Sequence, residues 1–275
     1  MHTVGTMDLN LSRSCSLLHC EQHLPASASP QLAPVDASFH CLSYARPDRA
    51  ASMAARFRGF GLDLAVSPGV AHDDPRLTAA SDAGLRRLWS ATYGHLDMVR
   101  AFLAGDKTWG VFCEDDVLLA ADFGAQLPGA LADAAALDLD LLMLGYMTSW
   151  PLAPSGAHPL LLERGGGGAY LGYPADQWGA HLYALSRRGA RRALEKFADG
   201  AYALASLHEP EKAFSPDWTI TKLDAGGDGR GRRALLYPMI AVEDGSDGME
   251  HYGHEGQADF HAATFEANTR GREFV

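Results

Sequence analysis

Residues Lys107–Leu119 have the sequence KTWGVFCEDDVLL. An apolar run with strand character, Trp109–Cys113, leads directly into three consecutive acids, and apolar residues resume after them. These acids, Glu114, Asp115 and Asp116, repel one another and lose solvation at the mouth of a buried strand, so they require a compensating cation. Carboxylate oxygens are ligands that suit Mg²⁺ or Mn²⁺. Because strand C-terminal ends face the ligand crevice of an open α/β sheet, a metal held there is well placed to bind a diphosphate.

Patterns typical of buried strands and amphipathic helices alternate along the rest of the chain. The clearest helix steps by three and four through Leu85, Trp89, Thr92, Leu96, Val99 and Leu103. Other helices are predicted after Pro47, over Leu127–Leu137, and from a Ser186 cap to Lys196. Further strands are predicted at Ser38–Ser43, Gly61–Val66, Leu139–Tyr146, Gly179–Leu185 and Ala234–Val242. This alternation predicts an α/β fold, with a mostly parallel, doubly wound sheet flanked by helices.

Length and charge limit the classes of protein to which the chain can belong. Its 275 residues suffice for one large domain or two small ones with an ample core. The formal net charge of -11 argues against a nucleic-acid partner, because a phosphate backbone requires a basic footprint. The same charge argues against docking on an anionic membrane surface. The four cysteines form no CxxC pair and no zinc spacing, so a reducing compartment is expected.

The N-terminal region differs in composition from the rest of the chain. Pro25–Val35 is rich in Ala, Ser and Pro, which is typical of a linker. We therefore predict a disordered or weakly ordered leader over residues 1–36 and a single domain over residues 37–275. The leader lacks a basic-then-apolar signal pattern, and the chain has no apolar run of about 18 residues, so a cytoplasmic protein without a transmembrane segment is predicted.

Four segments of the sequence resemble glycosyltransferase family 25, the lipopolysaccharide and collagen galactosyltransferase family. The resemblance covers roughly residues 38–260, and its pieces are specific when taken together. The matching segments are Leu42–Arg49, with its Arg-Pro-Asp-Arg turn, Tyr93–Leu96, Cys113–Val117, with the Glu-Asp-Asp metal motif, and Trp178–Ala190. The chain departs from the family at Gly94, where the family usually has Ser, and the match to its Pro-x-Asp segment at Phe214–Trp218 is short.

The resemblance implies a GT-A fold and transfer of a hexose, galactose or glucose, from a UDP-sugar with inversion at the anomeric carbon. The acceptor would be a glycan or glycoprotein hydroxyl, and the cofactor Mn²⁺ (or Mg²⁺). Asp217 would be the catalytic base that deprotonates the acceptor. The residues expected to bind the donor are Leu42, Ser43, Arg46, Arg49, His95, Glu114 and Asp115. Those expected to bind the acceptor are Tyr170, Tyr173, Trp178 and His181.

The metal ligands are expected among the acids and in a later Gly-rich segment. Asp116 is the first choice for direct contact, with Asp115 or Glu114 reaching the metal or the ribose. A further ligand is expected from His251 or His254, which follow the last predicted strand, and little separates the two.

Several of these residues have an ordinary structural interpretation as well. Arg46 and Arg49 could contact donor phosphates or form salt bridges at a helix start, and the sequence favours neither. Core packing explains Trp178 as well as sugar stacking does.

Two other functions remain open from the sequence. A metal-dependent phosphoesterase would need a second metal cluster, and the sequence shows one strong acidic cluster. A catalytically silent module that binds a nucleotide sugar or a carbohydrate could keep the same fold.

Overall fold

The computed structural model describes residues 36–147, 152, 161–165, 168–172, 178–209, 213–223, 232–244 and 268–275. All but the last residue of the predicted leader, 1–36, lies outside these ranges. The helices are α1 (Pro47–Gly59), α2 (Ala83–Ala104), α3 (Phe123–Ala136), α4 (Arg187–Phe197) and α5 (Ala201–Ser206). The first strands are β1 (Ala37–Leu42), β2 (Leu64–Ser67), β3 (Trp109–Glu114), β4 (Val117–Leu119) and β5 (Leu141–Met147). The later strands are β6 (Leu161–Gly165), β7 (Gly168–Leu171), β8 (Trp178–Ser186), β9 (Arg233–Tyr237) and β10 (Ala241–Glu243).

Eight of these strands form one sheet, in the order β2-β1-β3-β8-β5-β9-β7-β6. Strands β2, β1 and β3 are parallel neighbours, as are β5 and β9. Strand β8 runs antiparallel to both β3 and β5, and β7 runs antiparallel to both β6 and β9. All strands of this sheet other than β7 and β8 therefore share one direction. The predicted α/β class and the mostly parallel sheet are confirmed.

Helices cover both faces of the sheet. Val111 and Phe112, adjacent in β3, point to opposite faces and belong to two different hydrophobic cores. The Phe112 core contains buried residues of α2, α4 and α5, and the Val111 core contains those of α1 and α3. This layering is doubly wound, as predicted, and is compatible with a GT-A type fold.

Helix α2 carries the predicted three-and-four pattern and lies close to the sheet. Its first turn is capped by the Asp82 carboxylate, which accepts a hydrogen bond of 2.8 Å from the Leu85 amide. The close approach of α2 to β1 depends on Gly94, since a Cβ at this position would lie 2.7 Å from Cδ1 of Leu42. The missing side chain at Gly94 lets the helix bring the next residue, His95, against the ends of the strands.

One predicted strand is wrong in extent. The apolar run Ala234–Val242 forms two strands, β9 in the large sheet and β10 in a second sheet with β4. Pro238 separates them, because proline has no N–H to donate to a strand ladder. The break directs β10 to the turn after β3, where Glu243 pairs with Val117.

No helix among the residues in the described ranges is long and apolar enough to cross a membrane.

Candidate active site

The three acids lie in and after the end of β3. Glu114 is the last residue of β3 and is in register with Leu42 at the end of β1. Asp115 and Asp116 form the turn that leads into β4. The Ser43 hydroxyl donates a hydrogen bond of 2.6 Å to Oδ2 of Asp115. The structure thus brings the predicted donor residue Ser43 together with the acidic turn.

The two predicted arginines behave differently. Arg49, on α1, has Nη1 3.4 Å from Oδ1 of Asp115 and 3.5 Å from Oδ2 of Asp116. Arg46 is exposed and forms a 3.0 Å ion pair with Asp48 at the start of the helix. Arg49 therefore supplies positive charge to the acidic turn, whereas Arg46 makes the helix-start salt bridge that was the alternative interpretation.

Asp116 lies where its charge is poorly compensated. Its Oδ1 atom is buried and has no hydrogen-bond partner among the residues that the structure describes. Burial, followed by repulsion from Glu114, Glu243 and Asp115, raises the pKa of Asp116 to about 8. Arg49 opposes this change without cancelling it. An ionised Asp116 would be stabilised by a cation in this position.

Glu243 belongs to the same cluster and was not among the predicted site residues. It ends β10, and the following residue, Asp244, donates a backbone hydrogen bond of 2.5 Å to the carbonyl of Asp116. Burial and the charges of Glu114 and Asp217 raise the pKa of Glu243 to about 7. The signal in the sequence was an acid directly after the last apolar strand, the pattern that had identified Glu114.

Glu114 differs from Asp116 and Glu243 because its pKa is lowered rather than raised. Burial alone would raise its pKa, but the hydrogen bond with His95 is the largest of the interactions that hold the pKa below its ordinary value. His95 Nε2 lies 3.2 Å from Glu114 Oε1. His95 was expected to bind the donor, and here its side chain is 0% exposed and contacts the site through Glu114.

Asp217, the predicted base, lies on a short 3₁₀ helix, Pro216–Trp218. Its Oδ1 atom accepts a hydrogen bond of 2.9 Å from the Gly179 amide at the start of β8. Burial, and then the charge of Glu114, raise the pKa of Asp217 to about 6. Acids from three separate segments of the chain, residues 114–116, Asp217 and Glu243, therefore share one electrostatic environment.

Two of the predicted acceptor residues, Tyr170 and His181, are buried. Tyr170 is 0% exposed, and its hydroxyl donates to Oδ2 of Asp133 at 2.8 Å. His181 is 4% exposed, and its ring lies so close to Gly145 and Gly179 that a Cβ at either position would approach it within 3 Å. As placed here, neither ring can stack on a sugar.

The remaining predicted residues add little to the site as described. Leu42 packs its side chain against Gly94. Tyr173, His251, His254 and the side chain of Trp178 lie outside the described residues.

The negative charge of this cluster suits a metal ion, but its side chains are not arranged as a ready coordination sphere. No three His, Cys, Asp or Glu side chains within the described ranges stand together as a ready metal-binding group. The buried, unpartnered Oδ1 of Asp116 and the raised pKa values of Asp116 and Glu243 are nevertheless what hard oxygen ligands without their cation would show. Carboxylate oxygens are the ligand type that Mn²⁺ and Mg²⁺ prefer.

Comparisons with known proteins add a distant structural likeness. No protein-family model matches the chain, and no curated protein matches it. One solved structure, a glycosyltransferase involved in the glycosylation of the major capsid of PBCV-1, is similar at a TM-score of 0.39 and 8% sequence identity. The match covers 78% of this chain and 94% of that chain. Similarity at this level establishes neither family nor activity, so the resemblance to family 25 stays a prediction from the motifs.

Proposed function

We propose that this protein is a metal-dependent glycosyltransferase that moves a hexose, galactose or glucose, from a UDP-sugar to a hydroxyl of a glycan or protein acceptor, with inversion. The observation that carries the proposal is the cluster of acids from three chain segments, residues 114–116, Asp217 and Glu243. The charge of these acids is only partly offset by Arg49. Such a cluster at the C-terminal edge of a parallel strand suits a cation and the diphosphate it would bind. The choice of UDP-hexose as donor rests on the resemblance of the motifs alone.

The donor side of the site is the acidic turn and its neighbours. Asp116 and Glu243, with Asp115 or Glu114 as a further ligand, would hold Mn²⁺ (or Mg²⁺), which when bound stabilises negative charge that develops on the departing UDP. Ser43 keeps the Asp115 carboxylate in place through its 2.6 Å hydrogen bond. Arg49 lies beside both aspartates, where its guanidinium can also contact a phosphate oxygen.

The acceptor side of the site contains Asp217. A carboxylate whose pKa is raised to about 6 is a stronger base than an ordinary aspartate and is still ionised at neutral pH. It would take the proton of the acceptor hydroxyl as the hydroxyl oxygen attacks the anomeric carbon and the bond to UDP breaks. The Gly179 amide fixes one carboxylate oxygen, Oδ1, and leaves Oδ2 for the proton.

The test is UDP release from a panel of UDP-sugars, with and without Mn²⁺. We expect slow, Mn²⁺-dependent release from one preferred donor, and a loss of about a hundredfold or more in Asp116→Asn and Glu243→Gln. Asp63→Asn is the matched control, because Asp63 is exposed and precedes β2, at the opposite end of the sheet from Glu114. Near-normal Mn²⁺-dependent release by Asp116→Asn would refute the proposal.

The same assay separates the other two functions. Release of UMP and sugar 1-phosphate from UDP-sugars, or of inorganic phosphate from simple phosphomonoesters, without transfer, would indicate a phosphoesterase. Binding of UDP in a calorimetric titration, with no release from any donor in the presence of glycan acceptors, would indicate a silent binding module.

A further inference from the structure

His95 lies inside the protein with both ring nitrogens engaged. Its Nδ1 atom is 2.8 Å from the hydroxyl oxygen of Tyr183, and its Nε2 atom is 3.2 Å from Oε1 of Glu114. Tyr183 is fully buried, and its ring stacks on Phe112 with the centroids 5.4 Å apart. Because Phe112 and Tyr183 face each other across β3 and β8, the sheet itself fixes the position of the tyrosine hydroxyl.

The proton positions along these contacts follow from the chemistry of the three groups. An ionised Glu114 can only accept a hydrogen bond, so Nε2 of His95 must carry a proton. In a neutral imidazole Nδ1 is then an acceptor, and the Tyr183 hydroxyl donates to it. Burial raises the pKa of Tyr183 well above its ordinary value, so the hydroxyl retains the proton that it donates.

Glu114 links His95 to the rest of the acidic cluster, because it contacts His95 and directly precedes Asp115 and Asp116 in the chain. Its charge also reaches Asp217, whose pKa it helps to raise. The bond to His95 fixes Oε1 and so leaves Oε2 as the oxygen available to the cluster. A change in the orientation of Glu114 would therefore be felt both on the metal side and at the proposed base.

We propose that Tyr183 and His95 are positioning residues of the acidic cluster. Tyr183 holds the proton of His95 on Nε2, and His95 in turn holds Glu114 toward the other acids. Neither residue touches the substrate. The proposal rests on the proposed function only in taking the cluster to be a metal site, whereas the hydrogen-bond chain can be tested without metal. In this respect Tyr183 and His95 resemble the outer groups that orient metal ligands in other proteins.

The decisive variant is Tyr183→Phe, which removes one hydroxyl and keeps the ring. Mn²⁺ affinity, measured by calorimetry on the full chain, is expected to fall by about tenfold to a hundredfold. Tyr146→Phe is the matched control, because Tyr146 is also buried in the sheet and its hydroxyl donates to the Leu236 carbonyl at 2.9 Å. This control should lose comparable stability and keep its Mn²⁺ affinity.

A second pair of variants separates positioning from packing. His95→Gln keeps an N–H near the position of Nε2, whereas His95→Leu fills the space without a donor. We expect His95→Gln to bind Mn²⁺ more tightly than His95→Leu. Equal affinities in the two variants would contradict a role for the hydrogen bond to Glu114.

Nitrogen-15 NMR of the histidine ring provides a readout that needs no metal. The wild type should show His95 protonated on Nε2 alone, and Tyr183→Phe, which removes the donor to Nδ1, should allow Nδ1 to take a proton as well. A ring protonated on Nδ1 or on both nitrogens in the wild type would overturn the proposal, as would a ring still protonated on Nε2 alone in Tyr183→Phe. If the wild type bound no Mn²⁺, the proposed function would fail and the NMR result alone would decide the positioning role.

Discussion

Replacing Asp217 with Asn should abolish activity and make the folded protein more stable at alkaline pH. Asn keeps the shape of the side chain and can still accept the 2.9 Å hydrogen bond from the Gly179 amide through Oδ1. It cannot take a proton from an acceptor hydroxyl, so kcat is expected to fall by about a hundredfold to ten-thousandfold. A residue that served only the fold would show the opposite combination, with activity retained and stability lost.

The size of the stability gain follows from the environment of the carboxyl group. The pKa of Asp217 rises from 3.8 to about 6, and each tenfold change in proton affinity is worth about 1.4 kcal/mol, so the ionised form costs up to about 3 kcal/mol. The folded protein binds the proton more tightly than the unfolded chain. The free energy of unfolding therefore falls as pH rises from about 4 to 6 and stays low above that range.

The assay is urea unfolding of wild type and Asp217→Asn at pH 4 and pH 8. At pH 4 the two proteins should differ little, and at pH 8 the variant should be more stable by about 1–3 kcal/mol. In the wild type, log(kcat/KM) should rise with pH below about 6 and level off above it, because the base must be ionised. A stability gain of the same size at both pH values, or none at pH 8, would refute this account of the buried charge.

Two further predictions concern packing elsewhere in the fold. Tyr170→Phe removes a buried hydroxyl that donates to Asp133, so the free energy of unfolding should fall by about 1 kcal/mol. The KM for the acceptor should be unchanged, and a raised KM would support the predicted acceptor role of Tyr170. Gly189→Ala places a Cβ 2.2 Å from the Asp140 carbonyl oxygen and should cost at least about 2 kcal/mol in urea unfolding. Gly59→Ala, whose Cβ would have no described atom within 4 Å, is the control, and equal stabilities of the two variants would contradict the clash.

The local elements could be predicted from the sequence because their signals are local. The three-and-four stepping from Leu85 to Leu103 predicted α2, which is observed at Ala83–Ala104. The apolar run Trp109–Cys113 predicted β3, which extends one residue further to include Glu114. In both cases the side-chain period is set by the backbone geometry of the element itself.

The long-range arrangement could not be predicted from the same patterns. Strand β8 carries an ordinary apolar run, and nothing in that run records that it pairs antiparallel with β3 and β5. Ladder direction depends on the path of the connecting chain. For the same reason the approach of Glu243 to Asp116, and of Tyr183 to His95, was not predicted, since 127 and 88 positions separate the partners in sequence.

Strand β8 also has a consequence for engineering. Because it runs against its neighbours, it starts at the edge of the sheet where β5 ends, and Trp178 pairs with Met147. The chain between these two residues therefore leaves and returns at one place, beside the Gly179 amide that binds Asp217. The acidic turn belongs to a different connection, between β3 and β4. Residues 148–177 are nevertheless not a detachable loop, because β6 and β7 lie within them and Tyr170 and Leu171 are buried in the core. A sequence exchanged into this position would have to supply two strands that continue the sheet beyond β9.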